Sequence, residues 1–155
     1  MCPPGGARGL TPGEIALIRG VFSNAINTQS IQIRRRKWWP LQPTKVTMAP
    51  RGHIHFPPGS PHYRDDFADA PVHLGALFIH EMTHVWQTQT KGRWYLPTHR
   101  HPFCHYRYDL TPGKPFNAYG IEQQAEIAAD LWLARQGIAL VSGASLTELE
   151  SLVPF

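Results

Sequence analysis

The chain has 155 residues, enough for one domain with a sizeable core, so no second domain is required. Fifteen prolines and 13 glycines beside 42% hydrophobic residues predict short elements and many loops, as in an α+β domain. The two cysteines, Cys2 and Cys104, form no C-x-x-C motif, which argues against a disulfide framework. The formal charge of +4 suits an acidic partner without identifying one.

The N-terminal residues do not have the pattern of a targeting segment. No basic stretch followed by an apolar run occurs in residues 1–10, and no run of about 18 apolar residues occurs anywhere. The sequence therefore predicts a cytoplasmic protein without a membrane span. Export by a route that uses no cleaved signal peptide stays open.

Residues 1–10 are predicted to be a flexible lead, and a helix is predicted over residues 12–26. Thr11 and Glu14 have the spacing of a capping box, with Pro12 at the first helical position. Apolar residues then recur every three or four positions on one helical face, at Ile15, Ile18, Phe22 and Ile26. This helix is expected to pack against the core.

Three short strands are predicted next. Residues 29–34 alternate as in a half-buried strand, and residues 45–48 and 53–56 are expected to pair as an antiparallel hairpin. The basic and aromatic residues at 34–39 are typical of an edge strand protected by its charges. They are also typical of a surface that binds phosphates and stacks on bases, so both interpretations stay open.

Residues 80–84, His-Glu-Met-Thr-His, form an H-E-x-x-H motif in a helix predicted over residues 70–90. Residues four apart on a helix lie about 40° and about 6 Å apart, so His80 and His84 can bind one metal ion. Zinc accepts histidine nitrogens and lowers the pKa of a bound water towards about 7. Glu81 is placed to take the proton of that water. The alternative is a buried helix whose histidines are only hydrogen-bonded.

Two histidines need a third ligand from elsewhere in the chain. The extended H-E-x-x-H-x-x-G-x-x-H pattern is excluded, because Gln87 and Thr90 stand where glycine and histidine would be. A second helix, predicted over residues 121–136, carries acids at four-residue steps: Glu122, Glu126 and Asp130. A carboxylate from this helix would complete a His₂Glu site with a bound water.

Glu122 is the preferred third ligand, with Glu126 one turn later as the residue that orients a ligand imidazole. Glu126 is also the alternative ligand, because Glu126 and Asp130 repeat the same spacing one turn on. An exposed charged face remains a further interpretation of these acids. A three-histidine site that uses His99, His101 or His105 stays open as well.

Residues 91–119 show no sustained period and are expected to face the substrate. An oxyanion-stabilising group is expected here, and the sequence does not choose among Tyr119, His105 and a tyrosine of residues 95–108. A last short helix, ending near residue 152, is predicted from the capping box of Ser145 and Glu148.

These motifs resemble those of the gluzincin group of zinc metallopeptidases. In that group an H-E-x-x-H helix precedes an acidic-x-x-Ala-acidic helix, which Glu122-Gln123-Gln124-Ala125-Glu126 matches. Residues 10–14, 55–58 and 79–87 are also similar to small zincin-like proteins associated with Rhs and type VI secretion components.

This resemblance implies a single α+β, zincin-like domain over residues 1–155, with a small antiparallel sheet, an active-site helix and a following ligand-bearing helix. It also implies that His80, His84 and Glu122 are the zinc ligands. A link to a secretion or toxin system is implied too, with a secretion-system protein as a partner.

The sequence as a whole predicts a zinc-dependent metallopeptidase that hydrolyses a peptide or protein substrate. The water is activated by zinc, and Glu81 is its general base. One rival is a non-catalytic zinc-binding module of a secretion apparatus, which a fourth protein ligand such as His105 would favour. The other is an SprT-like DNA-associated protease, in which residues 34–39 would bind single-stranded DNA in a salt-dependent way; nucleic acid is the less favoured partner.

Overall fold

The computed structural model describes residues 1–100 and 104–155 and has an α+β fold, as predicted. The helices of this part of the chain are α1 (Pro12–Phe22), α2 (Val72–Lys91), α3 (Tyr95–His99), α4 (Ile121–Arg135) and α5 (Leu146–Leu152), with a short 3-10 helix at Phe116–Ala118. The strands are β1 (Ala7–Arg8), β2 (Ile33–Arg34) and β3 (Ile54–His55). No helix in the described ranges is long and apolar enough to cross a membrane.

Helices α2 and α4 pack against each other at the centre of the fold. Both contribute buried apolar side chains to one core, namely Leu74, Phe78, Ile79, Met82, Val85, Ile127, Ala128 and Leu131. A Cβ atom at Gly75 of α2 would lie 2.5 Å from Cη2 of Trp132 on α4, so this close approach requires glycine. The contact brings the polar faces of the two helices within reach of each other.

Helix α1 begins at the predicted capping box. The side chain of Thr11 accepts the Glu14 amide at 3.0 Å, and the Glu14 carboxylate accepts the Thr11 amide at 2.9 Å. The predicted end at residue 26 is wrong, because the helix ends at Phe22 and Ser23 turns the chain with a φ of 50°. Ile26 is nevertheless buried, so its helical spacing reflects contact with the core.

Part of the predicted flexible lead is ordered by a buried ion pair. Two guanidinium nitrogens of Arg8 donate to the carboxylate of Glu14 at 2.7 and 2.8 Å, and the amide of Phe67 donates to it at 3.2 Å. Such partners make the burial of a carboxylate tolerable. Arg8 thereby fixes strand β1 beside the start of α1.

The sheet is small, as predicted, but its pairing is only partly antiparallel. Strand β2 is central, antiparallel to β1 and parallel to β3. The predicted hairpin of residues 45–48 and 53–56 is reduced to one antiparallel bridge between Met48 and His55. One reason is that the Val46 carbonyl accepts the side-chain amide of Gln42 at 2.7 Å and is not available to a strand.

Candidate metal centre

One group of metal-ligating side chains lies between α2 and α4. The Nε2 atoms of His80 and His84 each lie 3.1 Å from the same atom, Oε2 of Glu122. Ligand atoms of the three residues lie within 4.8 Å of one another, and all three residues are buried. A tetrahedral zinc ion with bonds of about 2.0–2.1 Å separates neighbouring ligand atoms by about 3.3 Å. The three side chains could therefore hold a metal ion.

The second ring nitrogen of His84 is held by Gln87. His84 Nδ1 donates to Oε1 of Gln87 at 2.9 Å. The amide nitrogen of Gln87 donates to the Ile121 carbonyl and to Oε1 of Gln124, both at 3.0 Å. The contact with Gln87 fixes the ring so that Nε2 points at Glu122. A proton on Nδ1 would leave Nε2 free to ligate a metal ion placed between His84 and Glu122, and this is the tautomer that metal ligation requires.

The second ring nitrogen of His80 is held by Glu126, one turn of α4 after Glu122. His80 Nδ1 lies 2.9 Å from Oε1 of Glu126. Burial alone would lower the pKa of His80, but hydrogen bonds to Glu122 and Glu126 outweigh it and raise the pKa to about 9. Burial would conversely raise the pKa of Glu122, which the two histidines instead hold well below its usual range.

Glu81 contributes a buried carboxylate oxygen without a hydrogen-bond partner in the part of the chain that the structure describes. The residue is 3% exposed, and its Oε2 atom accepts no hydrogen bond from any described residue. An unpaired buried carboxylate oxygen is expensive, so its presence beside His80 indicates an acceptor reserved for a group that enters from outside. A water or a substrate N–H is such a group.

A cleft of about 400 Å³ gives access to His80 and Glu81. Its walls include Lys45 and Val46 from one side and Tyr106 from the connection between α2 and α4. The ring of Tyr106 stacks on that of His80 with 6.1 Å between centroids. A larger pocket of about 900 Å³ lies elsewhere, beside residues 110–119 and α5, and His80 and Glu81 are not among its lining residues.

Arg100 is a site residue that sequence reasoning missed. Its Nε lies 2.7 Å from Oε1 of Glu122, the carboxylate oxygen that does not face the histidines. The contact is an ion pair, and Oε1 accepts no hydrogen bond from the described residues. Burial lowers the pKa of Arg100, but the Glu122 charge and a hydrogen bond with Tyr106 outweigh it and raise the pKa. Arg100 belongs to no motif and lies in a stretch without periodicity, so the sequence did not indicate that it contacts Glu122.

The other predicted site residues lie apart from this group. Of the acids, Asp130 is occupied by the hydroxyls of Tyr108 and Ser142 at 2.6 and 2.9 Å. His99 Nδ1 lies 2.9 Å from the Tyr95 carbonyl, and His105 is exposed. The Tyr119 hydroxyl accepts the Thr111 amide at 3.1 Å. His101, a candidate for the three-histidine site, lies outside the described residues.

Comparisons with known proteins give one family. The chain is 36% identical over 139 residues to the type VI secretion system spike protein VgrG2b of Pseudomonas aeruginosa. The matched region covers 83% of this chain and 13% of that protein. The chain therefore spans a small part of this relative. The solved effector domain of Pseudomonas aeruginosa VgrG2b is 34% identical, with a TM-score of 0.74 over 94% of this chain and 83% of that domain. No family model matches the chain.

Proposed function

The chain belongs to the family of the VgrG2b effector domain, and on that premise we propose that it is a zinc-dependent metallopeptidase that works with a type VI secretion system. The convergence of His80, His84 and Glu122 carries the proposal. Two imidazoles and one carboxylate are a donor set of catalytic zinc sites, which leave one position open. The name of the relative supports a secretion-system protein as partner.

His80, His84 and Glu122 would hold the zinc ion, which would lower the pKa of a water and polarise the carbonyl of the scissile peptide bond. Glu81 is the general base, because its Oε2 is buried beside His80 and has no other partner among the described residues. It accepts a proton from the attacking water and gives it to the leaving amine. Gln87 and Glu126 hold the two histidines in the ligating orientation.

Arg100 and Tyr106 serve the same reaction from the wall of the cleft. The ion pair with Arg100 keeps Oε1 of Glu122 occupied, so Oε2 stays directed at His80 and His84. Tyr106 is the tyrosine that stacks on His80, and its hydroxyl is the donor best placed to stabilise the oxyanion. We expect Tyr106→Phe to lower kcat about 10-fold or more with little change in KM; a change in KM alone would contradict this role.

The substitution Glu81→Gln tests the proposed activity. Hydrolysis of an unfolded protein such as casein is expected to fall by about 10²–10⁴-fold, because the base is lost. Zinc content, measured by mass spectrometry, is expected to stay the same, because Glu81 is not in the ligand group. Glu150→Gln, which changes an exposed carboxylate on α5, is the matched control. Cleavage by the Glu81→Gln variant at the wild-type rate would refute the mechanism.

The non-catalytic alternative predicts a fourth protein ligand. The group of candidate ligands within residues 1–100 and 104–155 has three members, which favours an open position. An absorption spectrum of the cobalt-substituted protein distinguishes the two cases, because an open position allows an added anion to change the metal bands. Bands that do not respond to any added anion would favour the structural module.

A further inference from the structure

Positive charge is concentrated in one part of the chain. Residues 15–64 contain eight of the 15 Lys and Arg residues and none of the 11 acids. Arginine–carboxylate ion pairs among the described residues involve Arg8, Arg100 and Arg135, all outside that segment. The fold therefore leaves this positive charge unneutralised, and an anionic partner would be attracted to it.

The most exposed part of this segment is residues 36–46, here called the basic loop. It is closed around Gln42, which is fully buried. Gln42 accepts the Trp38 amide at 2.6 Å and donates to the Val46 carbonyl at 2.7 Å. The backbone of the basic loop is therefore fixed from inside, and its outer side chains are presented without an ordering step on binding.

The basic loop exposes apolar side chains between cations. Leu41 is 76% exposed, Trp39 44% and Val46 40%. The exposed Lys37 and Lys45 flank Trp39 and Leu41 in the sequence, and Val46 follows Lys45 directly. Tryptophan prefers the boundary between lipid headgroups and acyl chains, aliphatic side chains enter below it, and lysines meet anionic headgroups. The composition of the basic loop thus fits the surface of an anionic bilayer.

Arg51 extends this surface from the basic loop to Trp94, an exposed residue that follows α2. Its guanidinium carbon lies 5.0 Å from the ring centroid of Trp38 and 4.1 Å from that of Trp94. Arg51 thereby covers one face of each of these two rings, and a nucleic-acid base would need such a face for stacking, so of the tryptophans in this surface Trp39 remains for that purpose. The exposed Leu41 also offers nothing to a phosphate backbone. Both features favour lipid over single-stranded nucleic acid.

We propose that the basic loop, together with Arg51 and Trp94, binds the surface of an anionic phospholipid bilayer. Trp39 and Leu41 enter the headgroup layer, and the cations lie against lipid phosphates. Lys45 and Val46 also line the cleft over His80 and Glu81, so the bound domain holds this cleft beside the bilayer. The position of the cleft affects substrate choice only if the proposed peptidase function holds. Lipid binding itself does not depend on that function.

Co-sedimentation with vesicles tests the proposal, and the Glu81→Gln protein is used so that the result does not depend on hydrolysis. Binding is expected to mixed phosphatidylglycerol and phosphatidylcholine vesicles at low salt, and not to phosphatidylcholine alone. Lys37→Gln and Lys45→Gln are each expected to lower the partition coefficient about fivefold. Leu41→Ser is expected to lower it by at least about fivefold. Arg19→Gln and Val141→Ser, which change exposed residues outside the basic loop, are the matched controls for charge and apolar area.

Failure to bind anionic vesicles at low salt would overturn the proposal. It would also be overturned if Leu41→Ser bound as well as the parent while single-stranded DNA displaced the protein, because that response belongs to a polyanion site. Unchanged zinc content in each variant shows that the fold is intact. If the Glu81→Gln protein binds vesicles and the wild-type domain loaded with zinc cleaves no unfolded protein, the peptidase is refuted and this proposal still stands.

Discussion

Two buried glutamines organise two different kinds of region in this molecule. Gln87 bonds to His84 on its own helix and to Ile121 and Gln124, which are 34 and 37 residues away. Gln42 bonds to residues only four positions away on either side. The candidate metal centre is therefore a product of packing between helices, whereas the basic loop is a product of its own local sequence.

The two regions also reverse the usual distribution of polarity in opposite ways. The candidate metal centre buries the carboxylates of Glu81 and Glu122, and the basic loop leaves Leu41 in water. Each departure carries an unfavourable free energy in the isolated domain. In this domain, buried polar groups and exposed apolar groups therefore indicate separate sites with separate partners.

Gln87→Ala is expected to have the largest effect on zinc affinity and on stability among the substitutions that separate the two regions. Zinc affinity should fall about 10–100-fold, because His84 loses the acceptor that orients it. The free energy of unfolding should fall by about 1–3 kcal/mol, because Gln124 and the Ile121 carbonyl lose a buried donor. Zinc titration against a chelator and urea unfolding measure both. The exposed Gln136→Ala is the control, and an unchanged zinc affinity would show that Gln87 does not position the ligand.

Gly75→Ala tests whether packing of α2 on α4 supports the metal centre. The new methyl group would lie 2.5 Å from Trp132, so we expect a loss of about 1–3 kcal/mol in the free energy of unfolding, measured in urea. Gly20→Ala in α1 meets no atom within 4 Å and should instead stabilise the protein by about 1 kcal/mol. Equal effects of the two substitutions would contradict the close helix contact.

Gln42→Ala is expected to have the smallest effect, confined to the basic loop. The Trp38 amide and the Val46 carbonyl lose their partner, so the Trp38 amide should exchange its hydrogen faster, by about 1 kcal/mol of local opening free energy. Zinc affinity should not change, and the exposed Gln29→Ala should change neither quantity. A fall in zinc affinity would show that the two regions are coupled.

Helical periodicity made the two central helices and the faces of their candidate ligands predictable from the sequence. The helices over 70–90 and 121–136 are confirmed as Val72–Lys91 and Ile121–Arg135. Because residues four apart share a helix face, the spacing alone indicated that His80 and His84 lie on one face of α2 and that Glu122 and Glu126 lie on one face of α4. The capping boxes likewise marked the starts of α1 and α5. Local rules of this kind need no knowledge of the rest of the chain.

Contacts between distant segments could not be predicted in this way. Three features depend on how separate elements meet. They are the parallel pairing of β2 with β3, the pairing of β1 with β2, and the ion pair of Arg100 with Glu122. No spacing links these residues. The shape of the basic loop was hidden for a different reason, because its organising residue, Gln42, is a polar side chain in a sequence position that predicts exposure.

The connection between α2 and α4, residues 92–120, supplies Arg100 and Tyr106 to the cleft, while the candidate ligands stand on the helices themselves. Helix packing at Gly75 and Trp132 sets the distance between those helices independently of the connection. Doubling the length of such a loop costs only about 0.6 kcal/mol in closure entropy. If the proposed function holds, insertions and exchanges in residues 92–120 that keep Arg100 offer evolution a way to reshape substrate preference while the candidate ligands keep their places on α2 and α4.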